Sequence, residues 1–553
     1  MKIHFLKYYK FGFTFFISVF SIMTLNSFVT KKQNLPNFII IFADDLGYGD
    51  LGCYGNPIVQ TPNIDAIANR GTRFDNFYVA NPICQPNRAA LATGQLTSVN
   101  GCRQNGIPLG LDCTTYADVL RSSGYRTGLV GKAHFQNVSP IEVQLPQSNG
   151  KGEEPNEPYN LALRSQRRGS EYECEIRTSW IKNPNKELPL PYYGFDHVRL
   201  CIGHGDQVEG HYSGWLKAKL AGASDPRGRA GALEDGSPET PQIWRTALSE
   251  EHYPTSYVGE QACEFLEAQD DIPFILVVSF PDPHHPFTPP GRYFDLYDPA
   301  DIPLPKSFGH RTSARSDLPN HIKRIYEIGA EKPDEFWPFH TDDEDMRRMI
   351  ALNYGTITMI DEQVGVVMQA LKNIGKSENT NIIYMSDHGD YMGDHGTVLK
   401  GGLHSHGLIR VPLIWSDPTN RGTDVTGIQG SAIDFAPTLL QKAGLKVPHG
   451  MQGRDLLADD VKNLPVLIED SGLVMASDDG RTAFWSLVHD SWRMSVFEGS
   501  DLGELFNLGV DPDELDNLWA DPAATSQKME MMQLLIDRKI ALRSKSLVPT
   551  HQA

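Results

Sequence analysis

The sequence predicts an α/β fold: a large mixed, mostly parallel sheet sandwiched by helices, followed by a small C-terminal α+β subdomain containing an antiparallel sheet. Three observations predict it. Short apolar, β-branched runs alternate with helical patterns from about residue 37 to residue 450. Four of these runs end in clusters of acidic, basic and imidazole side chains, as the carboxyl ends of strands do where an open sheet binds ligand. After about residue 450 the texture changes to two short strand-like runs and a closing helix.

Taken in order, Asn37 to Phe42 (NFIIIF) reads as a buried strand. Thr61-Pro62 supplies an N-cap with Pro at the first helical position, Ile64, Ile67 and Ala68 follow at helical spacing, and Gly71 ends the helix. A second helix runs from about Thr115 to Gly124 with Tyr116, Val119 and Leu120 on one face, and Thr127 to Val130 is a short strand. Residues 137–250 are dense in Pro, Gly and charge with weak periodicity, and read as a long insertion over the active face. Phe274 to Phe280 (FILVVSF) is the next strand. A long helix over about Met349 to Leu371 carries Ile357, Ile360, Val364, Val367 and Leu371 on one side and leads into strand Asn381 to Ser386. Beyond it, Thr482 to Val488 and Trp492 to Phe497 read as antiparallel strands, with a helix near 525–543. The expected organisation is a leader at 1–30, a catalytic domain at 31–450 and a C-terminal subdomain at 451–553.

The 553 residues carry a formal charge of -19, which argues against a nucleic-acid partner. An anionic substrate therefore needs a local concentration of basic residues. Lys2, Lys7 and Lys10 precede an apolar stretch from Phe11 to about Phe28, after which Lys31 and Lys32 restore polarity. This reads as a signal peptide of a secreted or periplasmic protein, with no stable membrane span after its removal. A retained anchor is the alternative, because the stretch approaches spanning length and no clean A-x-A site follows. The seven cysteines, an odd number, leave at least one outside any intramolecular disulfide, and no C-x-x-C pair suggests zinc.

The strand at 38–42 runs into Asp44 and Asp45, that at 127–130 into Lys132 and His134, that at 274–280 into Asp282, His284 and His285, and that at 381–386 into Asp387 and His388. Paired Asp after one strand commonly does no more than cap a loop. Two such sites at strand ends suggest a hard divalent cation, whose identity His388 leaves open. Cys84 opens the run Cys84-Gln85-Pro86-Asn87-Arg88-Ala89-Ala90-Leu91. Pro86 near the start of an Ala/Leu run marks a helix N-terminus, where exposed N–H groups favour an anion, and Arg88 adds a planar donor fork. A lone Cys before a helix is otherwise an ordinary buried residue.

Cys84-x-Pro86-x-Arg88 followed by A-A-L-x-T-G closely resembles the signature of the type I, formylglycine-dependent sulfatases of the alkaline phosphatase superfamily, bacterial-type carbohydrate sulfatases among them. The resemblance extends to Asp44-Asp45-x-Gly47-Tyr48-Gly49-Asp50, Thr61-Pro62-Asn63, Gly131-Lys132-x-His134, Pro283-His284-x-Pro286 and Ser386-Asp387-His388-Gly389. It continues through Lys400-Gly401, Arg410-Val411-Pro412 and Asp434 with Pro437-Thr438. It implies an alkaline phosphatase-like sheet, and oxidation of Cys84 to 3-oxoalanine (formylglycine) by a formylglycine-generating enzyme. It implies a metal, Ca2+ or alternatively Mg2+ or another divalent ion, held by Asp44, Asp45, Asp387 and His388. By the same resemblance Arg88 and Lys132 steady the hydrated aldehyde, and Asp387 helps deprotonate it. Lys400 and His284 serve the leaving alcohol, and His134 takes the proton that releases sulfate.

Two positions depart from the pattern. Asn87 stands where relatives usually have Ser or Ala, and His406 where they often carry Glu. His404, His406 and His285 are therefore candidate substrate contacts. The expected substrate is a sulfated carbohydrate, a polysaccharide-derived oligosaccharide, with Tyr192, Tyr193, His204, His211 and Arg168 of the insertion as candidate sugar contacts. The competing readings are a phosphodiesterase or phosphonate monoester hydrolase of the same superfamily, and a non-catalytic sulfated-glycan-binding relative.

Overall fold

Eight consecutive buried residues, Asn37–Asp44 (β1), form the axis around which the chain folds. In the computed structural model the described residues are 35–141, 167–236, 240, 242–268, 271–310, 338–420, 422–471 and 483–544. The expected leader, and Thr482 at the start of one expected strand, lie outside them. Ile39 and Ile41 of β1 share a core with Ile64 and Ile67 of α1 (Pro62–Ala68). Strand β2 (Thr72–Tyr78), helix α2 (Cys84–Thr93), helix α3 (Tyr116–Ser122) and strand β3 (Arg126–Gly131) follow. Next come β4 (His197–Ile202), β5 (Glu209–Gly210), α4 (Pro254–Glu267) and β6 (Phe274–Pro283). The 31-residue α5 (Asp343–Asn373) begins at Asp342, whose side chain accepts from the Asp345 N–H. It lays Ile357, Ile360 and Val364 on the β1 core, at the helical spacing expected of them. Strands β7 (Thr380–Ser386), β8 (Leu413–Ser416) and β9 (Asp424–Ser431) complete the main sheet.

The sheet has nine strands in the order β9-β2-β8-β7-β1-β6-β3-β4-β5. The run β7-β1-β6-β3-β4 is parallel, while β8 is antiparallel to both its neighbours. The mixed, mostly parallel architecture expected from the sequence is therefore the one observed. Parallel strands need buried crossovers, which α4 and α5 supply.

One expectation needs correction. The segment 137–250 is not only an insertion over the active face, because its residues 197–202 form β4, paired in parallel with β3. Weak periodicity concealed it: HVRLCI lies one strand in from the edge of the sheet and carries charge at the half-buried Arg199. Strands β2, β8 and β9 were also unread, being short or polar. Beyond them, β10 (Val466–Asp470), β11 (Phe484–His489), β12 (Trp492–Phe497) and β13 (Gly503–Asn507) form a separate antiparallel sheet, and α6 (Thr525–Ala541) follows. All seven cysteines are free thiols. Among the described residues no helix is long and apolar enough to cross a membrane.

Candidate active site

Parallel β1, β6, β3 and β7 release their polar ends on the same edge of the sheet. After β3 the chain turns at Gly131 (φ +105°), where a Cβ would lie 1.8 Å from the Ser279 carbonyl oxygen, so only glycine allows β3 to hug β6 and deliver Lys132. Asp45 leaves β1 in the left-handed region (φ +64°), a conformation that Asp tolerates better than most residues. Cys84 is the first residue of α2, a helix buried along its whole length.

Arg88, one turn further along α2, ties these strand ends together. Its Nε donates to Asp387 Oδ2 at 2.7 Å, and Nη1 donates to the Lys132 carbonyl and to Ser279 Oγ, each at 2.9 Å. Nη2 lies 3.3 Å from Asp44 Oδ1. Lys132 Nζ pairs with Asp44 and Lys400 Nζ with Asp45. His388 Nε2 sits 3.0 Å from Cys84 Sγ and 3.2 Å from Asp45 Oδ1. His284 Nε2 is 3.4 Å from Asp45 Oδ2, and His285 Nδ1 is 3.9 Å from the same oxygen. Asn87, the unusual residue of the motif, is buried between two loops: its Oδ1 accepts from the Ala80 N–H at 2.8 Å and its Nδ2 donates to the Asp387 carbonyl.

The electrostatics divide the two ends of the cluster. Burial pushes the Asp44 carboxyl up and the Asp45 carboxyl well up, against the pull of nearby lysines. Burial acts on Asp387 too, but Arg88, His388 and Lys132 hold its carboxyl well below the usual range, so it is ionised. Burial and the two lysines push His134, His284 and His285 well down, leaving neutral imidazoles. Burial raises the Cys84 thiol, so the unmodified side chain is a poor thiolate.

These donors fit a divalent cation. Asp44, Asp45, Cys84 and His388 each bring one ligand atom within 4.8 Å of the others, and the buried Asp45 Oδ1 accepts no hydrogen bond although His388 Nε2 faces it at 3.2 Å, as two ligands of one ion would. Asp387 is not in that group: Oδ2 faces Arg88, and Oδ1 accepts from the backbone N–H groups of Asp45 and His388.

The remaining candidates are dispersed. His204, which follows β4, enters the centre: its ring stacks on His284 (centroids 3.4 Å apart), and its Nε2 lies 2.9 Å from Lys132 Nζ. Tyr192 and Tyr193 are buried, with hydroxyls donated to Glu175 and to the Leu109 carbonyl, and His211 Nδ1 accepts from the Leu200 N–H. Arg168 is half-buried. His404 is fully buried, 2.8 Å from Ser486 Oγ and against Phe484 of the C-terminal sheet, and so offers a ligand no surface. His406 stacks on Tyr78 and lines a cavity of about 460 Å3 with Tyr48, Asp394, Arg410 and Glu514, a cavity that Cys84 does not line. Sequence reading missed Ser279 and Glu175, because neither belongs to a motif or to a polar cluster at a strand end.

An α/β sheet that gathers acids, lysines and imidazoles around a cysteine at a helix N-terminus defines a hydrolase built to handle oxyanion esters. The sulfatase family model matches residues 36–445. The chain is 24% identical to the N-acetylglucosamine-6-O-sulfatase of Bacteroides thetaiotaomicron, covering 91% of this chain and 86% of that protein. It is 28% identical to the arylsulfatase of Clostridium perfringens, covering 76% and 77%. Its fold superposes on the phosphonate monoester hydrolase of Agrobacterium radiobacter with a TM-score of 0.71 at 24% identity, covering 93% of this chain and 97% of that one. The chain belongs to the sulfatase family and is a sulfuric ester hydrolase.

Proposed function

We propose that the protein removes sulfate from a sulfated carbohydrate fragment, with Cys84 matured to formylglycine and a divalent ion, Ca2+ in first place, held by Asp44, Asp45, Asp387 and His388. The observation that carries this reading is the position of Cys84, 3.0 Å from His388 and one turn before an Arg88 locked onto Asp387. The likeness to an N-acetylglucosamine-6-O-sulfatase over most of both chains supports a sugar as the alcohol. The basic, apolar-rich N-terminus supports export, where such fragments are met.

The aldehyde hydrate would supply the attacking hydroxyl, and the divalent ion positive charge beside the sulfate oxygens. The chain's own groups do the rest. Lys132 and Lys400 attract the negatively charged sulfate and the charge that develops on it. Asp387, kept ionised by Arg88, accepts the proton of the attacking hydroxyl. Lys400, whose charge is held by Asp45, delivers a proton to the departing sugar oxygen, with the neutral His284 set beside it against the same carboxylate. His134, a neutral imidazole, accepts the proton whose removal frees sulfate.

The test pairs two measurements on protein co-produced with a formylglycine-generating enzyme. The mass of the Cys84 peptide is expected to show the aldehyde, and sulfate release is expected from sulfated oligosaccharides. An unmodified thiol despite conversion of a control C-x-P-S-R protein would overturn the nucleophile. Turnover of aryl sulfates or phosphonate esters, but of no sulfated sugar, would overturn the substrate.

A further inference from the structure

We infer that Glu175 is a positioning residue for catalysis, holding the His134 loop in its working conformation; the inference rests on the role proposed above for His134. Glu175 lies in the 137–250 segment and is 1% exposed. Its Oε2 accepts from the His134 N–H at 2.8 Å. Its Oε1 accepts from the N–H groups of Phe135 (2.8 Å) and Gln136 (3.1 Å) and from the Tyr192 hydroxyl (2.6 Å). Three successive backbone N–H groups turned toward one carboxylate form an anion nest, which requires an unusual backbone at its start. His134 supplies it, at φ +55°.

The purpose of the arrangement is legible from what it overcomes. A non-glycine residue with positive φ is disfavoured, and a buried carboxylate is costly unless its lone pairs are occupied. Here the two unfavourable groups satisfy each other. The contact is also fastened from the side: Gln136 Oε1 accepts from the Cys174 N–H and its Nε2 donates to the Glu171 carbonyl, each at 2.8 Å, and the Arg177 N–H donates to the Val138 carbonyl at 2.9 Å. None of these groups touches Cys84. What they fix is the direction in which the His134 imidazole leaves the backbone, with its Nδ1 buried and free of a hydrogen-bond partner. The segment that the sequence presents as a cover over the site therefore also sets the geometry beneath it.

Glu175→Gln is the discriminating change. An amide nitrogen must face either the His134 N–H or the Phe135, Gln136 and Tyr192 donors, so one set loses its acceptor while volume is kept. The expected result is a fall in kcat of roughly 10- to 100-fold at unchanged KM, as for a misplaced catalytic group. Glu175→Asp, which restores the charge on a shorter arm, should recover part of that loss. In a His134→Ala background the same Glu175→Gln substitution should have no further effect on kcat. Equal losses in both backgrounds, or kcat within twofold of the parent, would overturn the inference. If Glu175→Gln does not fold, Tyr192→Phe, which removes one hydrogen bond to Glu175, is put through the same cycle with a smaller expected loss. The cycle is run on whichever ester the parent enzyme turns over. Failure of sulfate release by the parent therefore counts against the proposed function, and failure of coupling counts against Glu175.

Discussion

Two buried charge clusters in this molecule make an instructive pair. In the C-terminal sheet, Arg493 donates to Ser495 Oγ at 2.7 Å and to Glu504 at 2.9 Å, pairs with Glu514, and lies over the Phe506 ring. Glu514 in turn accepts the His406 N–H at 3.0 Å. At the carboxyl edge of the main sheet, Asp44, Asp45, Arg88, Lys132, His134, His284, His285 and His388 are also buried, with Lys400 and His204 half-buried, yet Asp45 Oδ1, His134 Nδ1 and His285 Nδ1 have no hydrogen-bond partner. Both clusters bury opposite charges. Arg493, Glu504 and Glu514 leave no buried side-chain atom without a partner, whereas the second cluster leaves three such atoms, one of them on Asp45, which is grouped with Cys84. In this pair the satisfied charge serves architecture, and the unsatisfied charge, gathered at the strand ends with Cys84, is held ready for a ligand and a reaction.

The largest expected effect breaks the reactive cluster. Cys84→Ala removes the only side chain proposed to carry the nucleophile, and should lower sulfate release by on the order of 10^4-fold or more. Its urea unfolding free energy should stay within about 1 kcal/mol of the parent, because few packing contacts are lost with one sulfur atom. A large loss of stability together with activity would show that Cys84 is architectural and erase the contrast.

The mirror experiment breaks the architectural cluster. Arg493→Met leaves Glu504 and Glu514 buried without their cation, and should lower unfolding free energy by about 3–5 kcal/mol. Turnover per folded molecule should barely change. A specific loss of kcat with unaltered urea unfolding would mean that the C-terminal sheet takes part in the chemistry through Glu514 and the His406 loop.

How much of this contrast could be read from sequence follows from the physics of each region. β1, β6 and β7 are buried on both faces, so their apolar runs were plain and the residues following them fell into view as a set. β4, β8 and β13 are short or sit near an edge, where polar residues are tolerated and periodicity fades. Local patterns in the sequence also revealed which residues cluster but not which way they face. His404 and His406 are two apart in one loop, yet one is sealed against Ser486 and the other lines a cavity. Glu175 was invisible because its partners are backbone N–H groups, which leave no trace in side-chain identity.

The smallest effect sharpens the comparison at its border. Asp282 lies two residues before His284 and is 1% exposed. Its Oδ2 accepts from Thr255, and its Oδ1 has no partner. Burial, reinforced by the charge of Asp44, pushes its carboxyl up to about 7. Because the folded-state value lies above the unfolded one, the native protein keeps a proton that the unfolded chain has released. The contribution to stability is therefore full below about pH 4 and is lost as pH rises through about 7. Asp282→Asn cannot titrate. Across pH 4.5 to 7, urea unfolding of the variant should fall less steeply with pH than that of the parent, by up to about 1.4 kcal/mol per pH unit. The slope is the decisive quantity, since the amide leaves a polar atom at the unpartnered position just as the carboxyl does. Parallel slopes would mean that Asp282 is ionised throughout and belongs, with its charge, to the reactive cluster. A flattened slope would make it a neutral hydrogen-bonding post at the cluster's edge, and would set the boundary of the reactive charge between Asp282 and His284.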